Sequence, residues 1–257
     1  MLRVLRPIKS NYLTQEFGQN RACARVIDGI AVFPYQIIGS DTYKRCPDGY
    51  TKLYPLLGLK GHNSTDWKTW HGEPLYFPVK ADTAWYSKDA SDLSGGLGVD
   101  VYSVSRLFFH ELPPEAGPEA IQDWEQNNKT IRVKFRFWHL MEAWADQEVY
   151  FSEYIGKCDN SGISSGSHLH GPAMKFVGRN DRTFDTNNGY YGCVDFMKIG
   201  LFENTFVLDE IKKERVLLES KLVVAQITLI ERMYQLISLL QIQILKAKKS
   251  VGSLFIK

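Results

Sequence analysis

The sequence predicts a mainly β protein: an antiparallel β-sheet domain over residues 1–200, then a C-terminal α-helical, coiled-coil-like extension over 206–249. Up to about residue 200 the chain is rich in glycine, aromatics and short alternating apolar runs, the pattern of strands joined by tight turns. Thr130–His139 alternates almost without a break, as a half-buried strand does. From Phe206 to Lys249 glycine and proline disappear, and Leu, Ile, Val, Glu, Lys and Gln take over.

In chain order, the start Met1–Pro7 leads straight into polar sequence without an apolar stretch or a small-residue cleavage site, so no secretory signal is expected. Residues 19–57 read as an insertion bracketed by Cys23 and Cys46. Tyr54, near its end, either lines a cleft or packs as a buried aromatic. Strands are expected at Pro74–Val79, Gly98–Ser103, Thr130–His139 and His168–Phe176. Gly95-Gly96-Leu97-Gly98 lacks the lysine of a phosphate-binding loop and reads as a turn. Residues 111–128, with Pro113, Pro114 and Pro118, read as an inserted loop with one helical turn. In the next strand Ile131, Val133, Phe135 and Phe137 share a face, which His139 is expected to continue.

In the C-terminal helix Val223, Ile227, Ile230, Tyr234, Ile237 and Ile244 form one stripe, and Leu222, Leu229, Met233, Leu236 and Leu240 a second beside it. So broad an apolar face suits a bundle of three or more helices or docking on a partner, the alternative being fold-back on the sheet domain. Glu231 and Arg232 interrupt the apolar run, so no membrane span is expected.

Four of the six histidines fall in three motifs: Gly61-His62-Asn63-Ser64-Thr65-Asp66, Phe137-Trp138-His139-Leu140, and Ser161 to His170, which ends in His168-Leu169-His170. A catalytic zinc keeps three protein ligands and leaves one position for water or substrate, so its ligands must converge. Residues i and i+2 of a strand point the same way, which sends His168 and His170 to one side. The four-residue step from His62 to Asp66 also keeps one face, on a strand or on a helix.

Together these motifs resemble the M23 peptidoglycan endopeptidases, the LytM/lysostaphin-like group, over roughly residues 14–176 with long inserts. Gly72–Val79, Ile155-Gly156 and Asn160–Gly162 match the family's intervening segments. The resemblance implies an M23/LytM-like antiparallel β fold, with one Zn2+ per chain held by His62, Asp66 and His170. It implies His139 and His168 as catalytic histidines, and hydrolysis of peptide bonds in peptidoglycan stems or cross-bridges. Ser64 stands where the family usually has glycine, and would disturb the turn if that position needs a positive φ. Gly171 replaces an aromatic that often follows H-x-H. The alternative is a non-catalytic M23-like domain that binds cell wall or builds a virion.

A net charge of +2 is too mild to imply nucleic acid as a partner. The partners expected are peptidoglycan and, through the helix, a second copy or a virion component. A wall hydrolase without a leader acts outside the cytoplasm after lysis or aboard a virion, as a bacteriophage endolysin or tail-associated lysin does. Four cysteines without C-x2-C spacing permit two disulfides, Cys23–Cys46 and Cys158–Cys193 being the preferred pairing, or four free buried thiols.

Overall fold

A computed structural model describes residues 2–20, 22–28, 30–32, 46, 48–162, 164 and 166–254. The strands begin with β1 (Arg3–Arg6), β2 (Leu13–Gln15), β3 (Cys23–Ile27), β4 (Ile30–Val32) and β5 (Thr51–Lys52). Next come β6 (Asp66–Lys68), β7 (Pro74–Tyr76), β8 (Val79–Lys80), β9 (Trp85–Asp89), β10 (Leu97–Ser103) and β11 (Leu107–Phe108). The remainder are β12 (Thr130–Ala143), β13 (Glu148–Val149), β14 (Tyr154–Cys158), β15 (His168–Val177), β16 (Cys193–Val194) and β17 (Phe202–Phe206). The helices are α1 (Leu53–Leu56), α2 (Pro118–Gln126) and α3 (Val207–Leu254).

The protein is thus mainly β with a C-terminal helix. The principal sheet runs β13-β9-β10-β12-β15-β6-β2, with β11 and β14 also on β12, β16 on β15 and β7 on β14. Two three-stranded sheets, β17-β1-β8 and β4-β3-β5, accompany it. Among the described residues β1–β17 is parallel and the other strand pairs are antiparallel. The expected strand Pro74–Val79 is divided between β7 and β8, which join different sheets.

β12 is the spine. Its odd residues Ile131, Val133, Phe135 and Phe137 are wholly buried and pack with Val99, Val101, Leu169, Phe176 and Trp85. Each such side chain contributes about 1.5–3 kcal/mol relative to exposure. The opposite face is polar. Asp100 on β10 accepts from Arg136 Nε and Nη2 (2.6 and 2.7 Å) and from Lys134 Nζ (2.7 Å).

The odd-face pattern stops short of His139. A bulge shifts the β12–β10 register between Phe137↔Val99 and Leu140↔Leu97, and His139 itself has φ +62°. The extra residue inverts the alternation, so Leu140, not His139, is the next wholly buried side chain. His139 reaches the site through a bulge that simple alternation does not foresee.

Residues 111–128 hold more than one helical turn, because α2 runs nine residues. Pro118 starts it, and the Asp185 carboxylate accepts from the amides of Glu119 (3.2 Å) and Ala120 (2.9 Å). Those donors have no partner within a helix, so this cap from 65 residues away stabilises it. Of the two expected disulfides Cys23–Cys46 is formed, whereas Cys158 and Cys193 are free and buried. Both free thiols sit on strands of the principal sheet, where their backbones pair with other partners: Cys158 with Leu140, Cys193 with Lys175.

The chain divides into two compact units, Met1–Val207 and Leu208–Lys257. The first includes β17, whose pairing with β1 ties the end of the unit to its beginning. In the second, apolar residues at consecutive positions such as Val216, Leu217 and Leu218, or Leu222, Val223 and Val224, are exposed. The helix is apolar on all sides rather than along one stripe. By length and composition Val207–Ile244 is long and apolar enough to cross a membrane, so the Glu231–Arg232 pair does not exclude a span as the sequence reading expected.

Candidate metal centre

Asp66 and His170 are cross-strand partners on β6 and β15, and His170 is opposite Trp138 on β12. His168, two residues before His170, is opposite Lys68. The i, i+2 step therefore brings both histidines of β15 to the same side, as strand geometry requires. His62 precedes β6 in a tight approach. Its amide donates to the Gln19 carbonyl (2.9 Å), and its carbonyl accepts from the Gly18 amide (2.7 Å). Gly61 has no room for a side chain, because a Cβ there would lie 2.4 Å from the Gly18 carbonyl oxygen.

His62 Nε2, Asp66 Oδ1 and His170 Nδ1 form a triangle whose three edges are each 3.1 Å. All three residues are buried. Ligand atoms about 2.0–2.1 Å from a tetrahedral zinc stand about 3.3 Å apart, so this donor set fits such an ion. Two further observations agree. Although two nitrogens lie 3.1 Å away, Asp66 Oδ1 is a buried oxygen without a properly aligned hydrogen bond among the described residues. A buried carboxylate oxygen left this way is costly, and a cation at the triangle would remove the cost. Further, His62 Nδ1 donates to the Glu16 carbonyl (3.3 Å), leaving the lone pair of the neutral ring on Nε2, toward the triangle.

Burial pushes the Asp66 carboxyl up, but the imidazoles of His62, His168 and His170 override it and hold it well below the usual range. Burial, with the neighbouring histidines, lowers His170 to about 4 and His139 to about 3. Both rings are therefore neutral near pH 7, the form in which a histidine binds metal or accepts a proton.

His139 and His168 adjoin the triangle. Their ring centroids are 4.6 Å apart, and His139 is 5.8 Å from His170. His168 Nε2 is 3.7 Å from Asp66 Oδ2. Each ring is held by its other nitrogen: His139 Nδ1 donates to the Ser161 carbonyl (2.6 Å) and His168 Nδ1 to the Gly166 carbonyl (2.8 Å). Nε2 is then the nitrogen that each ring turns away from its backbone carbonyl. The five residues singled out in the sequence, His62, Asp66, His139, His168 and His170, are thus brought together.

Other residues stand around these five. Trp138 lies 5.6 Å from the His170 ring and 4.7 Å from the Arg136 guanidinium, and its Nε1 donates to the Ala90 carbonyl (2.8 Å). Its indole is seated on Gly95, in the turn, and on Gly98 of β10, since a Cβ on either would come within 2.3 or 2.2 Å of the ring. The Gly95 carbonyl also accepts from the His139 amide (3.1 Å). The glycine-rich turn is a wall of the site. Tyr54 is buried with its ring 5.7 Å from His62, and Gln15 Nε2 donates to its hydroxyl (2.8 Å). Burial and the Asp66 charge push its phenol well up, so it stays protonated. Ser64 is not among the residues with positive φ, so no glycine is needed there. Ile163 and Ser165 of the third motif, and residues 33–45 of the insertion, lie outside the described residues.

No family model matches the chain, and no curated protein matches it. Among solved structures, a zinc-containing peptidase from Vibrio cholerae is 18% identical over 48% of this chain, with a TM-score of 0.29. The chain spans only 28% of that protein's length. The SpoIIQ–SpoIIIAH pore-forming complex is 15% identical over 77% of this chain and 97% of the other, with a TM-score of 0.30.

Proposed function

We propose that this chain is a zinc-dependent endopeptidase that hydrolyses peptide bonds in peptidoglycan stems or cross-bridges. The observation that carries this reading is the buried 3.1 Å triangle of His62 Nε2, Asp66 Oδ1 and His170 Nδ1 with two further imidazoles beside it. The triangle supports a metal site, and the resemblance of the three motifs to M23 peptidases supplies the reaction. When bound, zinc supplies a Lewis acid for the scissile carbonyl and lowers the pKa of water at the site.

The residues do the rest. His168 and His139 are each held in position by a backbone carbonyl on Nδ1, which leaves Nε2 as the reacting nitrogen. One accepts the proton of the attacking water, and the other, once protonated, donates to the leaving nitrogen or stabilises the developing oxyanion. Tyr54, still protonated, can donate from the His62 side. Trp138 covers the His170 ring and limits access of water.

The Cys23–Cys46 disulfide supports action in an oxidising compartment outside the cytoplasm. A lysin released by lysis or carried on a phage particle meets that condition. In this reading residues up to Val207 form the peptidase, and α3 serves self-association or docking. Light scattering of the full chain and of a truncation after Val207 tests α3. An oligomer that becomes a zinc-binding monomer is expected for self-association, and a monomeric full chain overturns self-association and leaves docking on a partner.

Metal analysis tests the site. The purified protein should hold about one zinc per chain, and His62→Ala, Asp66→Ala and His170→Ala should each release it. Full zinc occupancy in all three variants would remove the ligand assignment.

A further inference from the structure

We propose that the cavity lined by Lys9, Ser10, Lys68, Thr69 and Trp70 is a substrate subsite that takes a carboxylate-bearing segment of the peptide. The inference rests on the hydrolase reading and deepens it. The cavity holds about 380 Å3 and is bounded on one side by β6, the strand that carries Asp66. Asp66 and Lys68 are i and i+2 on that strand, so both side chains leave the same face about 6.6 Å apart along the chain. Lys68 is also the cross-strand partner of His168. A peptide drawn across the five-residue cluster toward β6 meets Lys68 within one residue of it.

The lining has a definite chemistry. Lys9 and Lys68 are exposed, and among the described residues neither has a carboxylate partner. Lys68 Nζ stands 6.0 Å from the centre of the Tyr12 ring. Trp70 is 52% exposed and Tyr12 58%, so an open indole lines the cavity with two ammonium groups that lack a carboxylate, one of them beside the Tyr12 ring. Aromatic faces bind apolar groups and peptide planes, while the ammonium groups select an anion. A peptide segment carrying a free carboxylate satisfies both.

Two hydrogen bonds hold part of the lining. Thr69 Oγ1 and Ser167 Oγ share a hydrogen bond (3.0 Å), which ties the cavity to the loop leading into His168. The Ser10 amide donates to Glu73 Oε1 (3.1 Å), and Glu73 is itself wholly buried and does not line the cavity. Burial pushes its carboxyl up, so it opposes an incoming anion less than an exposed carboxylate would.

Equilibrium dialysis of the full zinc-loaded chain against three probes, with intact ligand and products counted separately by mass spectrometry, tests the proposal. The probes are a disaccharide–tetrapeptide with free carboxylates, the same compound with those carboxylates amidated, and the peptide-free disaccharide. The free-acid probe should be retained at least fivefold more strongly than either other probe. Lys68→Gln and Trp70→Ala, both at exposed positions and checked for fold by circular dichroism, should each reduce its retention at least fivefold. Equal retention by all three chains, equal retention of acid and amide, or no retention by the wild type overturns the subsite. Retention of the peptide-free disaccharide as strong as that of the free acid overturns it in favour of a glycan site. The retention pattern intact with no peptide released from purified sacculi leaves the subsite standing and counts against the peptidase reading alone.

Discussion

Asp100 offers the most quantitative test of how the sheet beneath the site is held together. Its carboxylate is 2% exposed and accepts four hydrogen bonds, from Arg136 Nε and Nη2, Lys134 Nζ and the Tyr102 hydroxyl. Burial pushes this carboxyl up, but Arg136 and Lys134 together hold it at about 2, against an ordinary 3.8. A depression of that size corresponds to about 2 kcal/mol of stability at neutral pH. Because the folded pKa is depressed, that stability is fully present above the unfolded value near 4 and is lost as pH falls through about 2. Burial pushes the Lys134 ammonium down in spite of Asp100, so the two-bonded Arg136–Asp100 pair carries most of the effect. Asp100→Asn keeps the volume but leaves Arg136 and Lys134 without a counter-charge. Breaking a buried pair in this way costs about 3–5 kcal/mol. Urea unfolding followed by tryptophan fluorescence measures it. All six tryptophans lie before Val207, so the signal reports the first unit alone. The variant should unfold at lower urea with an unchanged slope, and its deficit should shrink between pH 4 and pH 2. A loss below about 1 kcal/mol at pH 7, or one independent of pH over that range, would refute the reasoning.

The remaining predictions concern the site and the thiols. His139→Ala and His168→Ala should keep zinc and fold while hydrolysis falls on the order of 10²-fold or more, and a near wild-type rate in either removes that residue from the mechanism. Peptide mapping without reduction should find Cys23 linked to Cys46, with Cys158 and Cys193 alkylated only after denaturation. A Cys158–Cys193 peptide would contradict the structure.

What was legible in the sequence follows from period and spacing. The i, i+2 step of His168 and His170 needs only strand geometry, and the odd face of β12 up to Phe137 needs only alternation. His139 does join the cluster, but not for the reason that alternation offers, because the bulge at residues 138–139 breaks that pattern. A bulge is set by its neighbours, here the shifted registers with β10 and β15, and local pattern does not contain it. α2 was underestimated because its cap, Asp185, lies far along the chain. Gly95 lies in a turn as expected, but Leu97 and Gly98 already belong to β10, and the use of Gly95 and Gly98 as a seat for Trp138 depends on contact between two strands. Cys158 and Cys193 show the limit of counting cysteines: parity permitted a bridge that the strands do not make.

The central claim is that the five-residue cluster is a zinc hydrolase. Release of soluble muropeptides from purified sacculi, followed with product masses, tests it most directly. The zinc-loaded protein should release defined peptide-cleavage products, lose the activity on chelation and regain it when zinc is restored, while Asp66→Ala stays inactive throughout. A protein that holds one zinc per chain yet releases nothing from sacculi would contradict the account.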